Sequence, residues 1–117
     1  MIKGIGIDLV ELDRLKDKDE KFIKRILSDD EFEFYQEITS PKTKLTYLGG
    51  RFAAKEAIFK AISKGPGDTN YKDFSILNDP QGKPFVKTNY FKANEIIHIS
   101  ITHTEAYAMS YVMIETI

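Results

Sequence analysis

The spacing of hydrophobic positions changes twice along this chain of 117 residues. In "KGIGIDLVEL", Ile5, Ile7 and Leu9 alternate to one side and Gly4, Gly6 and Asp8 to the other, the two-residue period of a strand. Glycines beside an acid leave room for something to approach that backbone. "ELDRLKDKDEKFIKRIL" is helical in composition, anchored by Leu12, Leu15, Phe22, Ile26 and Leu27, with the polar run Lys16 to Lys21 interrupting it as a loop. Ser28 followed by Glu31 is a capping box that opens a second helix over "SDDEFEFYQEI". Ser40 as N-cap and Pro41 in the first turn open a longer helix, which Gly65, Pro66 and Gly67 end. Gly49 and Gly50 in its middle each cost about 1 kcal/mol against alanine, and so predict close packing there. The second half returns to strands. "FSILNDPQGKPFVKT" reads as a hairpin turning over Asn78 to Gly82. "IIHISITHTEAYAMSYVMIE" reads as two strands around Thr104 and Glu105, with Ile97, Ile99, Ile101 and His103 on one face. One early strand, helices, then mainly antiparallel strands predict a single α+β domain over residues 1–117.

The long helix has an unusual face pattern. At about 100° per residue, Arg51 and Lys55 fall on one side of "GGRFAAKEAIFKAI", close to Ile58 and Ile62. Glu56 and Lys60 fall nearly opposite, beside Phe52 and Phe59, and alanines fill most of the rest. Two charged patches separated by apolar stripes do not make an ordinary surface helix.

Charge distribution sharpens this. Net charge is −1, but residues 1–40 carry −4, residues 41–64 carry +5 and residues 65–117 carry −2. A local cationic excess favours a polyanionic ligand; the alternative is a solvated basic face. There is no cysteine, hence no disulfide framework, thiolate nucleophile or cysteine zinc site, which fits a reducing cytoplasm. The first residues have no basic region followed by a long apolar run, and no stretch approaches about 18 consecutive apolar residues, so neither a signal peptide nor a membrane span is expected.

Several chemistries lack their motifs. No phosphate-binding G-x-x-x-x-G-K-[ST] occurs, and "GIGIDL" lacks the third glycine of a dinucleotide fingerprint. His98 and His103 point to opposite strand faces and cannot share a metal. What remains is Asp8 on a glycine-lined strand and Glu56 on the cationic helix. Two carboxylates with cations nearby suit Mg²⁺, which takes one or two protein carboxylates and completes its shell with water and phosphate oxygens. Taken singly, Asp8 also reads as a cap or turn acid, Glu56 as an i,i+4 partner of Lys60, and His103 as a core or turn histidine.

Taken together, "GIGIDLVELDRL", "RFAAKEAIFKAI", "NDPQGKP" and "ISITHTEAYAMSYV" resemble the four signature blocks of holo-acyl-carrier-protein synthase, the small stand-alone type of 4′-phosphopantetheinyl transferase. The blocks come in the family's order and spacing and cover essentially the whole chain. One departure is visible: where the family usually has a Gly-Thr/Ser-Gly type turn, this chain has Ile62, Ser63, Lys64, Gly65, Pro66 and Gly67.

The resemblance implies helices packed on a mainly antiparallel sheet, in the fold of small trimeric 4′-phosphopantetheinyl transferases. It implies a Mg²⁺-dependent reaction in which coenzyme A gives its 4′-phosphopantetheine arm to a serine of apo-acyl carrier protein, leaving adenosine 3′,5′-bisphosphate, in support of fatty acid biosynthesis. Asp8 and Glu56 match the family's metal ligands, and Lys60 its active-site lysine. Arg51, Lys64, Gly65 and His103, with Lys44 or Lys42 on charge alone, are the candidates for cofactor contacts. The proton acceptor is a metal-held water or a carboxylate such as Glu56. Arg14, Lys21 and Arg25 match positions where the family offers cations to its acidic carrier protein. A homotrimer with active sites between subunits would bury the long helix on more than one side. An idle coenzyme A-binding module is disfavoured, since a pure binder needs no Mg²⁺ pair. A nucleic-acid partner is disfavoured by the slightly acidic chain.

Overall fold

The computed structural model describes residues 1–63 and 69–117. The predicted helix end at Gly65, Pro66 and Gly67 lies outside the described residues, as do the candidates Lys64 and Gly65. The elements run β1 (Ile2–Glu11), a 3₁₀ turn (Leu12–Arg14), α1 (Glu20–Ile26), α2 (Asp29–Glu37), α3 (Pro41–Ala61), a second 3₁₀ turn (Tyr71–Asp73), β2 (Ser75–Asn78), β3 (Pro84–Lys87), β4 (Glu95–His103) and β5 (Tyr107–Thr116). The α+β order is the expected one, and all described strand pairs are antiparallel. β1, β5 and β4 form one sheet in that spatial order, and β2 with β3 a separate hairpin.

Local chemistry sets the boundaries. Asp19 caps α1 by accepting from Phe22 N, and the polar run before it leaves the helical pattern broken, as expected. Ser28 and Glu31 form the capping box of α2. Ser40 accepts from Thr43 N at the head of α3, with Pro41 in the first turn. α3 stops at Ala61, and Ser63 turns the chain away with φ near +56°. The β2–β3 turn is held by Asp79, whose Oδ1 accepts from Gln81 N at 2.9 Å and Lys83 N at 2.8 Å.

α3 is the central pillar, and it crosses the glycine-lined face of β1. A Cβ on Gly6 would stand 1.9 Å from the Ala57 carbonyl oxygen, and one on Gly4 2.1 Å from that of Ala61. The room that these glycines leave is therefore filled by the chain's own helix. Gly49 is tight against Leu12, as its position in mid-helix predicts. Ala53, Ala54, Ala57 and Ile58 are buried, and the core divides into one group around Leu12, Ile26, Leu27 and Leu48 and another around Ile58, Phe74, Ile76 and Val112.

The opposite face of the sheet is open and apolar. Ile5, Ile7 and Leu9 are each more than half exposed. They pair across the sheet with Met113, Tyr111 and Met109, and these in turn with His98, Ser100 and Thr102.

Candidate active site

The close approach at Gly4 and Gly6 decides what lies beside Asp8. With α3 pressed on β1, the residues flanking Ala57 and Ala61 reach the strand. Lys60 Nζ donates to the Ile7 carbonyl at 2.9 Å and to Asp8 Oδ1 at 3.2 Å. Glu56, one turn earlier, is close enough for its charge to act on Asp8. The i,i+4 pairing of Glu56 with Lys60 is not formed: the lysine turns to the strand, and Glu56 Oε1 accepts from the Tyr71 hydroxyl at 2.6 Å. Asp8, Glu56 and Lys60 are thus gathered as the sequence predicts, with a tyrosine that sequence reasoning missed. Tyr71 comes fifteen positions after Glu56, and no local pattern links them.

Electrostatics favour a cation here. The Asp8 carboxyl is pushed above its ordinary range, first by burial; Lys60 opposes this, and the Glu56 charge adds to it. Burial, together with the Glu56 carboxylate, pushes the Tyr71 phenol up to about 12, so it stays a donor. No cluster of three or more His, Cys, Asp or Glu suited to a metal occurs among the described residues. A protein-caged ion such as structural zinc is therefore a poor match. Two carboxylates at a partly open site, one of them burdened by desolvation and like charge, do fit Mg²⁺ that draws its remaining ligands from water and phosphate.

The opposite side of α3 behaves differently. Lys55 and Glu31 form an ion pair in which both side chains have no exposure at all. Lys55 Nζ also donates to the Ile26 carbonyl at 2.6 Å. Glu31 accepts in addition from Ser28 N at 2.8 Å and Ile76 N at 2.7 Å. Burial lowers the Lys55 ammonium pKa, and Glu31 partly offsets this. Arg51, a candidate for a cofactor contact, lies on this same inner side of α3, and its burial corrects that expectation. Arg51 is buried, its Nε donates to the Ile76 carbonyl at 3.1 Å, and its guanidinium lies 4.1 Å from the Tyr47 ring centroid. At 7% exposure, and turned onto a ring and a carbonyl, Arg51 acts here as an interior link.

The other described candidates are spread over the surface. His103 shares a shallow hollow with Lys42, Thr43 and Thr46, and Lys42 pairs with Glu105 at 3.2 Å. Thr46 and Glu56 are ten residues apart on α3, about 15 Å along its axis at 1.5 Å per residue. One chain therefore does not bring His103 to Glu56. Lys44 lies over the Tyr35 ring, 4.8 Å from its centroid. Arg14, Lys21 and Arg25 are exposed on the segment from the first 3₁₀ turn through α1. Arg25 lines a cleft with Asn70, Tyr71 and Lys72, on the Glu56 side of the molecule.

Comparison with known proteins identifies the family. The family model described as the 4′-phosphopantetheinyl transferase superfamily matches residues 4–112. A holo-[acyl-carrier-protein] synthase of Acholeplasma laidlawii is 46% identical over 117 residues, 99% of this chain and 98% of the relative. One from Staphylococcus haemolyticus is 48% identical over 120 residues, covering 98% of each. The crystal structure of a Bacillus anthracis holo-(acyl-carrier-protein) synthase in complex with CoA (3′,5′-ADP) superposes with a TM-score of 0.90 at 37% identity, covering 99% of this chain and 98% of that one. With Asp8, Glu56 and Lys60 gathered where α3 meets β1, and with relatives matching over their full length, the chain belongs to the holo-acyl-carrier-protein synthases of the 4′-phosphopantetheinyl transferase superfamily.

Proposed function

We infer that the chain transfers the 4′-phosphopantetheine arm of coenzyme A to a serine hydroxyl of apo-acyl carrier protein, releasing adenosine 3′,5′-bisphosphate. The serine oxygen forms a bond to the β-phosphorus of the pyrophosphate, the bridging P–O bond breaks, and the serine proton is lost. The observation that carries this reading is the Asp8–Lys60 contact beside Glu56, on a chain whose relatives are synthases of this kind. Phosphoryl transfer is catalysed mainly by positioning and charge stabilisation. Asp8 and Glu56 would hold Mg²⁺, which when bound neutralises phosphate charge. Lys60, its side chain more than half exposed, can leave Asp8 to meet a developing phosphate charge.

A homotrimer with sites between subunits is supported by two observations. The open face of β1 and β5 carries exposed Ile5, Ile7, Leu9 and Tyr111, a larger apolar strip than scattered surface residues require. Lys44 lies about 18 Å along α3 from Glu56 and His103 sits beside Thr46 at that same far end, so a neighbouring copy would supply them. Arg14, Lys21 and Arg25 form the proposed docking patch for an acidic carrier protein. Among the described residues no helix is long and apolar enough to cross a membrane. We place the protein in the cytoplasm, in fatty acid biosynthesis, consistent with a chain free of cysteine.

Incubation of the chain with coenzyme A, Mg²⁺ and apo-carrier protein, followed by intact mass measurement of the carrier, tests the reaction. A carrier heavier by one phosphopantetheine group is expected. An unchanged carrier with coenzyme A still bound would instead identify an idle binding module.

A further inference from the structure

Glu56 would be a loosely held glutamate without Tyr71. The Tyr71 hydroxyl is the hydrogen-bond donor to Glu56 among the described residues, at 2.6 Å to Oε1, and a bond from phenol to carboxylate of that length is a strong, charge-assisted one. The tyrosine ring is itself fixed. It lies tilted against Phe52 with centroids 5.9 Å apart, and meets Phe59 edge-on at 5.2 Å. Those two phenylalanines flank Glu56 at i−4 and i+3, so ring and carboxylate are registered on the same helix face. The turn carrying Tyr71 is closed on both sides, by Asn70 N donating to Asp73 Oδ2 at 2.8 Å and Asp73 N donating to the Asn70 carbonyl at 3.0 Å.

We propose that Tyr71 is a positioning residue that holds one oxygen of Glu56 and so biases this glutamate toward one-oxygen ligation of the divalent cation, favouring Mg²⁺ over Ca²⁺. The inference rests on the metal role of Glu56 given above. Mg²⁺ demands a compact octahedron and is held through single carboxylate oxygens, whereas Ca²⁺ accepts six to eight ligands and readily takes a carboxylate through both oxygens. A hydrogen bond that holds Oε1 competes with the two-oxygen mode for that oxygen's lone pairs and so reduces an advantage of the larger ion. Outer hydrogen bonds to ligating groups typically change metal affinity by about 10–100-fold.

The test is Tyr71→Phe, which keeps the ring between Phe52 and Phe59 and deletes only the donor. Mg²⁺ and Ca²⁺ are titrated calorimetrically into the full chain with saturating coenzyme A, corrected for metal binding to coenzyme A alone, with Glu56→Gln as the reference. The expected result is Mg²⁺ affinity lower by about 10-fold, Ca²⁺ affinity lowered less or not at all because the regained two-oxygen mode offsets the lost positioning, and a melting temperature close to wild type. An unchanged Mg²⁺/Ca²⁺ ratio in Tyr71→Phe, with metal binding weakened in Glu56→Gln, overturns the proposal and leaves the metal site standing. Equal metal affinity in wild type and Glu56→Gln overturns the metal site itself, and this proposal with it.

Discussion

Lys55 and Lys60 stand five residues apart on α3, and each meets a carboxylate from another element. Lys55 and Glu31 are both fully enclosed, and every polar atom they present is matched by a backbone partner at Ile26, Ser28 or Ile76. Lys60 is 56% exposed, its partner Asp8 18%, and the contact is a longer one at 3.2 Å. The same chemistry therefore serves two ends. A buried pair with all its hydrogen bonds made joins α2, α3 and the start of the hairpin into one body, and is costly to break. A half-open pair beside a second carboxylate is easily exchanged for a ligand, which the proposed site for phosphate and metal requires. The helix faces are related too: by holding one side of α3 rigid, Glu31 and Lys55 help fix how the other side presents Glu56 and Lys60.

The comparison breaks first at Lys55. Lys55→Ala strands Glu31 without its counter-charge, and should lower stability in urea unfolding by about 3–5 kcal/mol. Lys60→Ala should change it by about 1 kcal/mol or less, as for an exposed pair. Equal losses would mean that the two sides of α3 are not divided as described. Next come the carboxylates of the open side. Asp8→Asn and Glu56→Gln should retain the fold yet lower carrier-protein turnover by orders of magnitude, as expected when a phosphoryl-transfer metal loses a ligand. Turnover near wild type in either variant, at ordinary Mg²⁺ concentration, would remove that residue from the metal site.

Lys60→Ala sharpens the contrast further. If Lys60 meets charge that develops only during transfer, kcat should fall by more than the KM for coenzyme A rises. The reverse pattern would make it a ground-state phosphate contact. Stability against pH carries a smaller signal. The Asp8 carboxyl is raised from its ordinary 3.8, chiefly by burial. Such a group stabilises the metal-free fold fully below pH 3.8, and that contribution is lost as pH rises through the raised folded value. Metal-free Asp8→Asn should thus be at least as stable as wild type at pH 7, with the difference shrinking below about pH 4. A variant less stable at pH 7 would show that the Lys60 contact outweighs the desolvation. The smallest effect is expected at Arg14. Raising salt should raise the KM for carrier protein with little change in kcat, and Arg14→Glu should flatten that dependence. Parallel salt curves for the two proteins would exclude Arg14 from docking.

Much was legible in the sequence, because it depends on neighbours along the chain. The strand period of Ile5, Ile7 and Leu9, the caps at Ser28 and Ser40, the turn at Asn78 to Gly82 and the split of α3 into two charged sides are all short-range patterns. Tertiary packing decided what those patterns were for. Arg51 and Lys55 were cations of a phosphate-binding segment by charge alone. Folding brought Glu31 and the Ile76 carbonyl to them from 24 and 25 residues away, and turned them into interior links. Gly4 and Gly6 announced an approach to β1, but only the packed chain shows that α3 itself makes it and so sets Lys60 against Asp8. The Tyr71 hydroxyl on Glu56 belongs to the same class. A hydrogen bond between a turn and a helix leaves no periodicity to read, because its partners are chosen by where the core places two backbones and not by their spacing in the sequence.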